Sequence, residues 1–161
     1  MRRMRTIIGC TLFVLWGCGG GGPATPSSVA TSDLTTAPTS VLIGGKSITL
    51  ETSLWRDFQP ITPPDGKPLV ALLQIKTEDG SDVPATLRAD MVWLFNGRQS
   101  WSAVPQEQRR RPETSPVYEL VARDGPKWGP GISVDVVVRL LSPDGRAFLL
   151  RAADQPIRAT F

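Results

Sequence analysis

The chain's 161 residues include no histidine and only two cysteines, Cys10 and Cys18, both within the first eighteen positions. Those two side chains carry much acid-base and nucleophilic chemistry. Beyond residue 18 the composition therefore excludes a Ser-His-Asp triad, a cysteine nucleophile, a Cys/His zinc cluster and a disulfide framework. Carboxylates, lysines, arginines, hydroxyls and aromatic rings remain for chemistry. Asp57, Asp65, Asp90, Glu119, Asp135 and Asp154 supply acids for a carboxylate-dependent hydrolase, but no spacing among them selects a pair. The acidic turn Glu78-Asp79-Gly80-Ser81-Asp82 offers oxygen atoms suited to calcium, yet lacks the alternate-position spacing of an EF-hand loop. No catalytic residue, metal or cofactor is expected.

Binding chemistry has better candidates. In Asp124-Gly125-Pro126-Lys127-Trp128-Gly129-Pro130-Gly131, a tryptophan and a lysine sit in a loop stiffened by prolines and loosened by glycines. Loops held by a rigid scaffold are favoured places for binding residues, and Trp is favoured at interface centres. Trp128 and Lys127 are thus candidates for an aromatic platform, against the simpler reading that Trp128 folds back to plug the domain's end. Arg109-Arg110-Arg111 is a basic run in a polar loop, suited to anionic headgroups or an acidic partner, or simply solvated. Trp55 and Phe58, beside Arg56 and Asp57, offer a further aromatic patch, with core packing at a strand end as its alternative.

The chain's start explains both cysteines and most of the charge. Met1 to Arg5 carries three arginines, and Thr6 to Trp16 is an apolar run, the layout of a secretory signal. That run is far short of the ~20 apolar residues that span a bilayer. It ends at Leu15-Trp16-Gly17-Cys18, which resembles the lipobox of bacterial lipoproteins: an aliphatic, a variable and a small residue before a cysteine that is acylated and becomes the new N-terminus. Leu15, Gly17 and Cys18 match this pattern, and Trp16 is bulkier than the usual occupant. Ile7-Ile8-Gly9-Cys10 fits locally but leaves too little apolar run before it. The resemblance implies a signal peptide over 1–17, lipidation at Cys18, and attachment to a membrane of the bacterial cell envelope. With Gly19 rather than Asp after the cysteine, it implies the outer membrane where the organism has one. The formal charge of +3 equals the contribution of Arg2, Arg3 and Arg5, so the mature chain is neutral and nucleic acid is not an expected partner.

From Gly19 to Ser40 the chain is mostly Gly, Pro, Ser, Thr and Ala with one charge, Asp33, and almost no bulky apolar residues, so residues 18–40 are expected to form a lipidated, flexible tether. The body over 41–161 shows strand alternation and no sustained helical period. Ile132, Val134, Val136, Val138 and Leu140 share one face, with Ser133, Asp135 and Arg139 on the other. Ala147 to Ala152 follows through Ser142-Pro143-Asp144-Gly145-Arg146 as the second arm of an antiparallel hairpin. Further strands are expected over Ser47 to Leu54, Leu69 to Thr77, Leu87 to Phe95, Gln99 to Ala103 and Val117 to Ala122, with Pro156 to Phe161 extending the last. Asn96-Gly97 marks a tight hairpin turn. Met91, Trp93 and Phe95 fall together, and Trp93 is expected at the centre of the core.

About seven short strands with frequent turns resemble, in rhythm only, an immunoglobulin-like or fibronectin-like antiparallel β-sandwich without its disulfide, a small barrel being the competitor. The expected protein is a lipid-anchored, non-catalytic module whose partner, besides the membrane, is another envelope protein or a surface polymer. The alternative is an envelope protease inhibitor presenting the loop Gly125 to Gly131, or a carboxylate-dependent hydrolase.

Overall fold

The computed structural model describes residues 30–161. Cys10, Cys18 and the spacer as far as residue 29 lie outside the described residues. The domain is all-β. Its strands are β1 (Ser40–Ile43), β2 (Lys46–Asp57), β3 (Leu69–Thr77), β4 (Arg88–Asn96), β5 (Gln99–Ala103), β6 (Val117–Gly125), β7 (Ser133–Leu141) and β8 (Ala147–Thr160), preceded by a short helix α1 (Thr31–Thr35). They form one mixed sheet in the order β5-β4-β7-β8-β2-β3-β6, with β1 added beside β2.

The alternation in the sequence sets the inward face of nearly every strand. In β3, Leu69, Ala71, Leu73 and Ile75 are buried; in β2, Ile48, Leu50 and Leu54; in β7, Val134, Val136, Val138 and Leu140; in β6, Tyr118, Leu120 and Ala122. These residues, with Val92, Leu94 and Leu150, form one cluster. The sheet therefore curls until its wings, β5-β4-β7 and β2-β3-β6, face each other across a shared dry interior.

The bend is made in β8. Its first part pairs antiparallel with β7, and its end pairs parallel with β2, from Leu54 opposite Ile157 to Asp57 opposite Thr160. Near the end of the β7 ladder the register slips between Ala152 and Gln155, Asp154 takes a left-handed φ of +56°, and its N–H donates to Asp135 Oδ1 at 2.9 Å. Such a bulge twists and redirects a strand. The parallel β2/β8 pair corrects the expectation of an all-antiparallel sheet. A single strand long enough to serve both wings needs no hairpin at its second partner, so direction is set by the bend.

Two further expectations change. Trp93 is not central: cross-strand partners share a face, and Leu94 opposite Val136 takes the core while Trp93 opposite Val137 faces outward. Both faces of β4 are apolar, so alternation alone left the phase open. The outward patch of Trp93, Phe95, Val137 and Leu149 is covered by Leu34 and Ala37. This also shortens the expected tether, because from Thr31 the chain is laid on the domain, with Arg151 N–H donating to Pro38 O at 2.8 Å. Two buried apolar side chains in an otherwise small-residue stretch are enough to dock a single turn of helix.

Candidate functional site

At one end of the curl, β2 places Arg56 in phase with Ile48, Leu50 and Leu54, and so points a guanidinium inward. It is 3% exposed. A buried cation needs partners, and among the described residues Arg56 has no carboxylate within ion-pair range; it is held by backbone oxygens. Nε donates to Lys67 O at 3.0 Å, Nη1 to Lys127 O at 3.1 Å and to Gly129 O at 2.7 Å, and Nη2 to Asp65 O. The Phe58 ring lies 5.0 Å from the guanidinium carbon. Glycine is required on both sides of this cradle. Gly66 has φ +73°, and a Cβ there would sit 2.6 Å from the Phe58 ring; Gly129 has φ +66°, with Ile157 at 3.3 Å.

The loop expected to present an aromatic platform is thereby tied down. Trp128 is half-buried and packs on the core. Lys127 is exposed and pairs with Asp65 at 2.5 Å, which holds the Asp65 carboxyl below its ordinary range. Gly131 N–H donates to Ile157 O at 2.9 Å. Arg56 thus staples the 58–68 and 126–132 loops to the end of β2. Its signal was present in the sequence as an arginine at an inward position of an alternating strand. Trp55 and Phe58 are half-buried beside it.

The arginine run lies elsewhere, on the seam of the curl. The two outermost strands, β5 and β6, are joined by no ladder; after β5 the chain touches β6 at one bridge, where Gln106 and Val121 exchange N–H to O bonds of 2.9 and 2.8 Å. Beyond Gln106 the chain peels away from β6. A groove of about 390 Å³ opens there, with Arg109, Arg110 and Arg111 on one side and Val117 and Glu119 on the other. Smaller hollows continue it past Arg123 and past Arg88.

The three arginines differ in role. Arg111 is structural: Nη2 donates to Ala85 O and, at 2.9 Å, to Leu87 O, and its guanidinium lies 3.9 Å from the Tyr118 ring centroid. Its Nη1 is buried without a partner. Burial lowers the Arg111 pKa, with the nearby Arg88 charge acting in the same direction. Burial likewise raises the pKa of Tyr118 beneath it. Arg109 and Arg110 are exposed. Arg88 and Arg123 join them at the seam, and no local motif could have announced that, since topology alone brings them there.

The acidic residues do not assemble a site. Asp57 pairs with Lys67, Asp65 with Lys127, Asp90 with Arg139 and Asp135 with Arg151; Glu119 accepts from Gln74. In the 78–82 turn, Asp79 Oδ1 accepts from Ser81 N–H at 3.0 Å. Among the described residues, no three acidic side chains converge as a metal site would need. No protein family, no curated protein and no solved structure matches the chain.

Proposed function

We propose that this protein is a lipid-anchored, non-catalytic binding module of the bacterial cell envelope, carried on an immunoglobulin-like arrangement of the curled sheet. The observation that carries the reading is the coincidence of an arginine-rich start, an apolar run and Leu15-Trp16-Gly17-Cys18 at its end. Several acyl chains, each buried CH₂ contributing about 0.8 kcal/mol, would anchor such a chain durably. With the helix α1 seated on the domain, the spacer between Cys18 and the folded body is 19–30, a fully extended reach of about 40 Å.

A binding rather than catalytic role is supported by what the acids do: Asp57, Asp65, Asp90 and Asp135 are each held by a cation, an arrangement that fixes loops and strands. The anchor is tested by feeding radiolabelled palmitate to cells producing the parent or Cys18→Ala. Label is expected in the parent and absent from the variant, which should also run as the unprocessed precursor. Equal labelling of both would overturn the anchor.

A further inference from the structure

We propose that the seam groove receives an extended acidic polypeptide segment, laid along the edge of β6 with its carboxylates on Arg109 and Arg110. This deepens the binding-module reading and rests on it. The main chain of β6 is open on this side. Val121 spends its N–H and C=O on Gln106, facing away from β3, and bonding direction alternates along an antiparallel strand. Glu119, two residues earlier, therefore turns its own N–H and C=O toward the same side, where among the described residues no backbone group meets them. An open strand edge is a template for another chain, with main-chain bonds giving affinity. The segment 106–111 begins to fill that place at Gln106 and then departs, leaving the groove.

Charge favours an acidic occupant as well. Arg88, Arg109, Arg110, Arg111 and Arg123 line the groove and its extensions against three glutamates, Glu107, Glu113 and Glu119. None of those five arginines takes part in the six ion pairs of the described residues. Residues 30–161 sum to zero charge, so this excess is a local segregation that favours an anionic ligand. Arg111, half-buried, adds a cation whose Nη1 is buried and unbonded at the groove. A phosphate polymer or lipid headgroup would answer the arginines but has no alternating donors and acceptors for Glu119. An extended peptide has both, and acids at alternate positions put every carboxylate on one face.

The test uses the full chain in mild detergent and a fluorescent dodecapeptide alternating glutamate and threonine. Saturable binding is expected, weakening with added salt, and about tenfold weaker in Arg109→Glu/Arg110→Glu. Both side chains are exposed, so circular dichroism of that variant should match the parent. In ¹⁵N-labelled parent protein the Glu119 amide should become protected from exchange when peptide is added, a readout independent of any variant. No saturable binding at about 1 mM peptide, or equal binding by the double variant, overturns the proposal. So does comparable binding of phosphatidylglycerol vesicles or polyphosphate with the Glu119 amide unmoved, which would make the groove a phosphate site. Should the parent and the double variant retain the same envelope partner while neither takes the peptide, the groove proposal falls and the module reading stands.

Discussion

Arg56→Met tests whether a buried arginine organises one whole end of the domain. Methionine keeps much of the aliphatic stem and removes four charge-assisted bonds to the carbonyls of Asp65, Lys67, Lys127 and Gly129. Bonds to a charged group contribute about 1.5–3 kcal/mol each, a gross loss of roughly 6–12 kcal/mol. Against this, methionine avoids desolvating a guanidinium, which costs several kcal/mol, and water can reach some of the freed loop carbonyls. The net expectation is a destabilisation of about 3–4 kcal/mol, a large share of the ~5–15 kcal/mol of a typical domain. With a urea m-value of about 2 kcal/mol/M, the tryptophan-fluorescence midpoint should drop by roughly 1.5–2 M. Arg56→Lys, whose compact ammonium cannot fork between two loops, should lose about half as much. The loss should also be local: the Gly131 amide, bonded to Ile157 O, should exchange faster under native conditions before the core opens. A midpoint shift under about 0.3 M for Arg56→Met, with Gly131 still protected, would refute the staple and leave the loops held by their own packing.

Tyr118 is the chain's one tyrosine, so the pH-dependent rise in absorbance near 295 nm, over the constant background of the five tryptophans, reports its ionisation alone. Because burial raises its pKa, the neutral phenol is favoured by folding: its contribution is intact below the unfolded pKa near 10 and is lost as pH rises through the folded value. Native protein should therefore titrate above the midpoint seen in guanidinium, and a native midpoint at or below that one would contradict the burial. Leu34→Asp should undock α1 and cost about 1–2 kcal/mol, since a buried leucine's gain is partly offset by the ordering of its segment. Faster exchange of the Arg151 amide, bonded to Pro38 O, and new dye binding at the uncovered Trp93 patch are the signs to measure. Trp128→Ala should cost about 2 kcal/mol, below the ~3–5 kcal/mol of a fully buried aromatic, because Trp128 is half-buried. An unchanged thermal midpoint would return Trp128 to candidacy as a free platform.

Much of the fold was legible because each strand has one apolar and one polar face. In β2, β3, β6 and β7 the inward residues follow from alternation alone, and the bound between Leu141 and Ala147 follows from Pro143, Asp144 and Gly145. Each misplacement has its own cause. β4 is apolar on both faces, so Val92 and Leu94 competed on equal terms with Trp93 and Phe95 until pairing with β7 fixed the phase. The cover over Trp93 comes from Leu34 and Ala37 in a stretch whose composition argues for disorder, and only a surface elsewhere in the chain gives those two side chains something to bury against. The parallel pairing of β8 with β2 is a consequence of the bulge at Asp154, a backbone choice that no residue pattern declares.

The site was legible in a different proportion. Arg109 and Arg110 could be named from the run they stand in, and Arg56 could have been, since a charged residue in phase with Ile48, Leu50 and Leu54 must either flip the strand or find partners inside. What the sequence could not supply is the distinction between Arg111 and its two neighbours. That difference depends on where the chain leaves β6 after Gln106: the departure swings Arg111 under the loop and over Tyr118, while Arg109 and Arg110 are left facing solvent. The same departure leaves Glu119 without a main-chain partner and brings Arg88 and Arg123 alongside. Charge excess and open edge are thus two results of one event, the failure of β5 and β6 to close the curl. A variant that extended the Gln106 bridge by a further pair would be expected to remove both together.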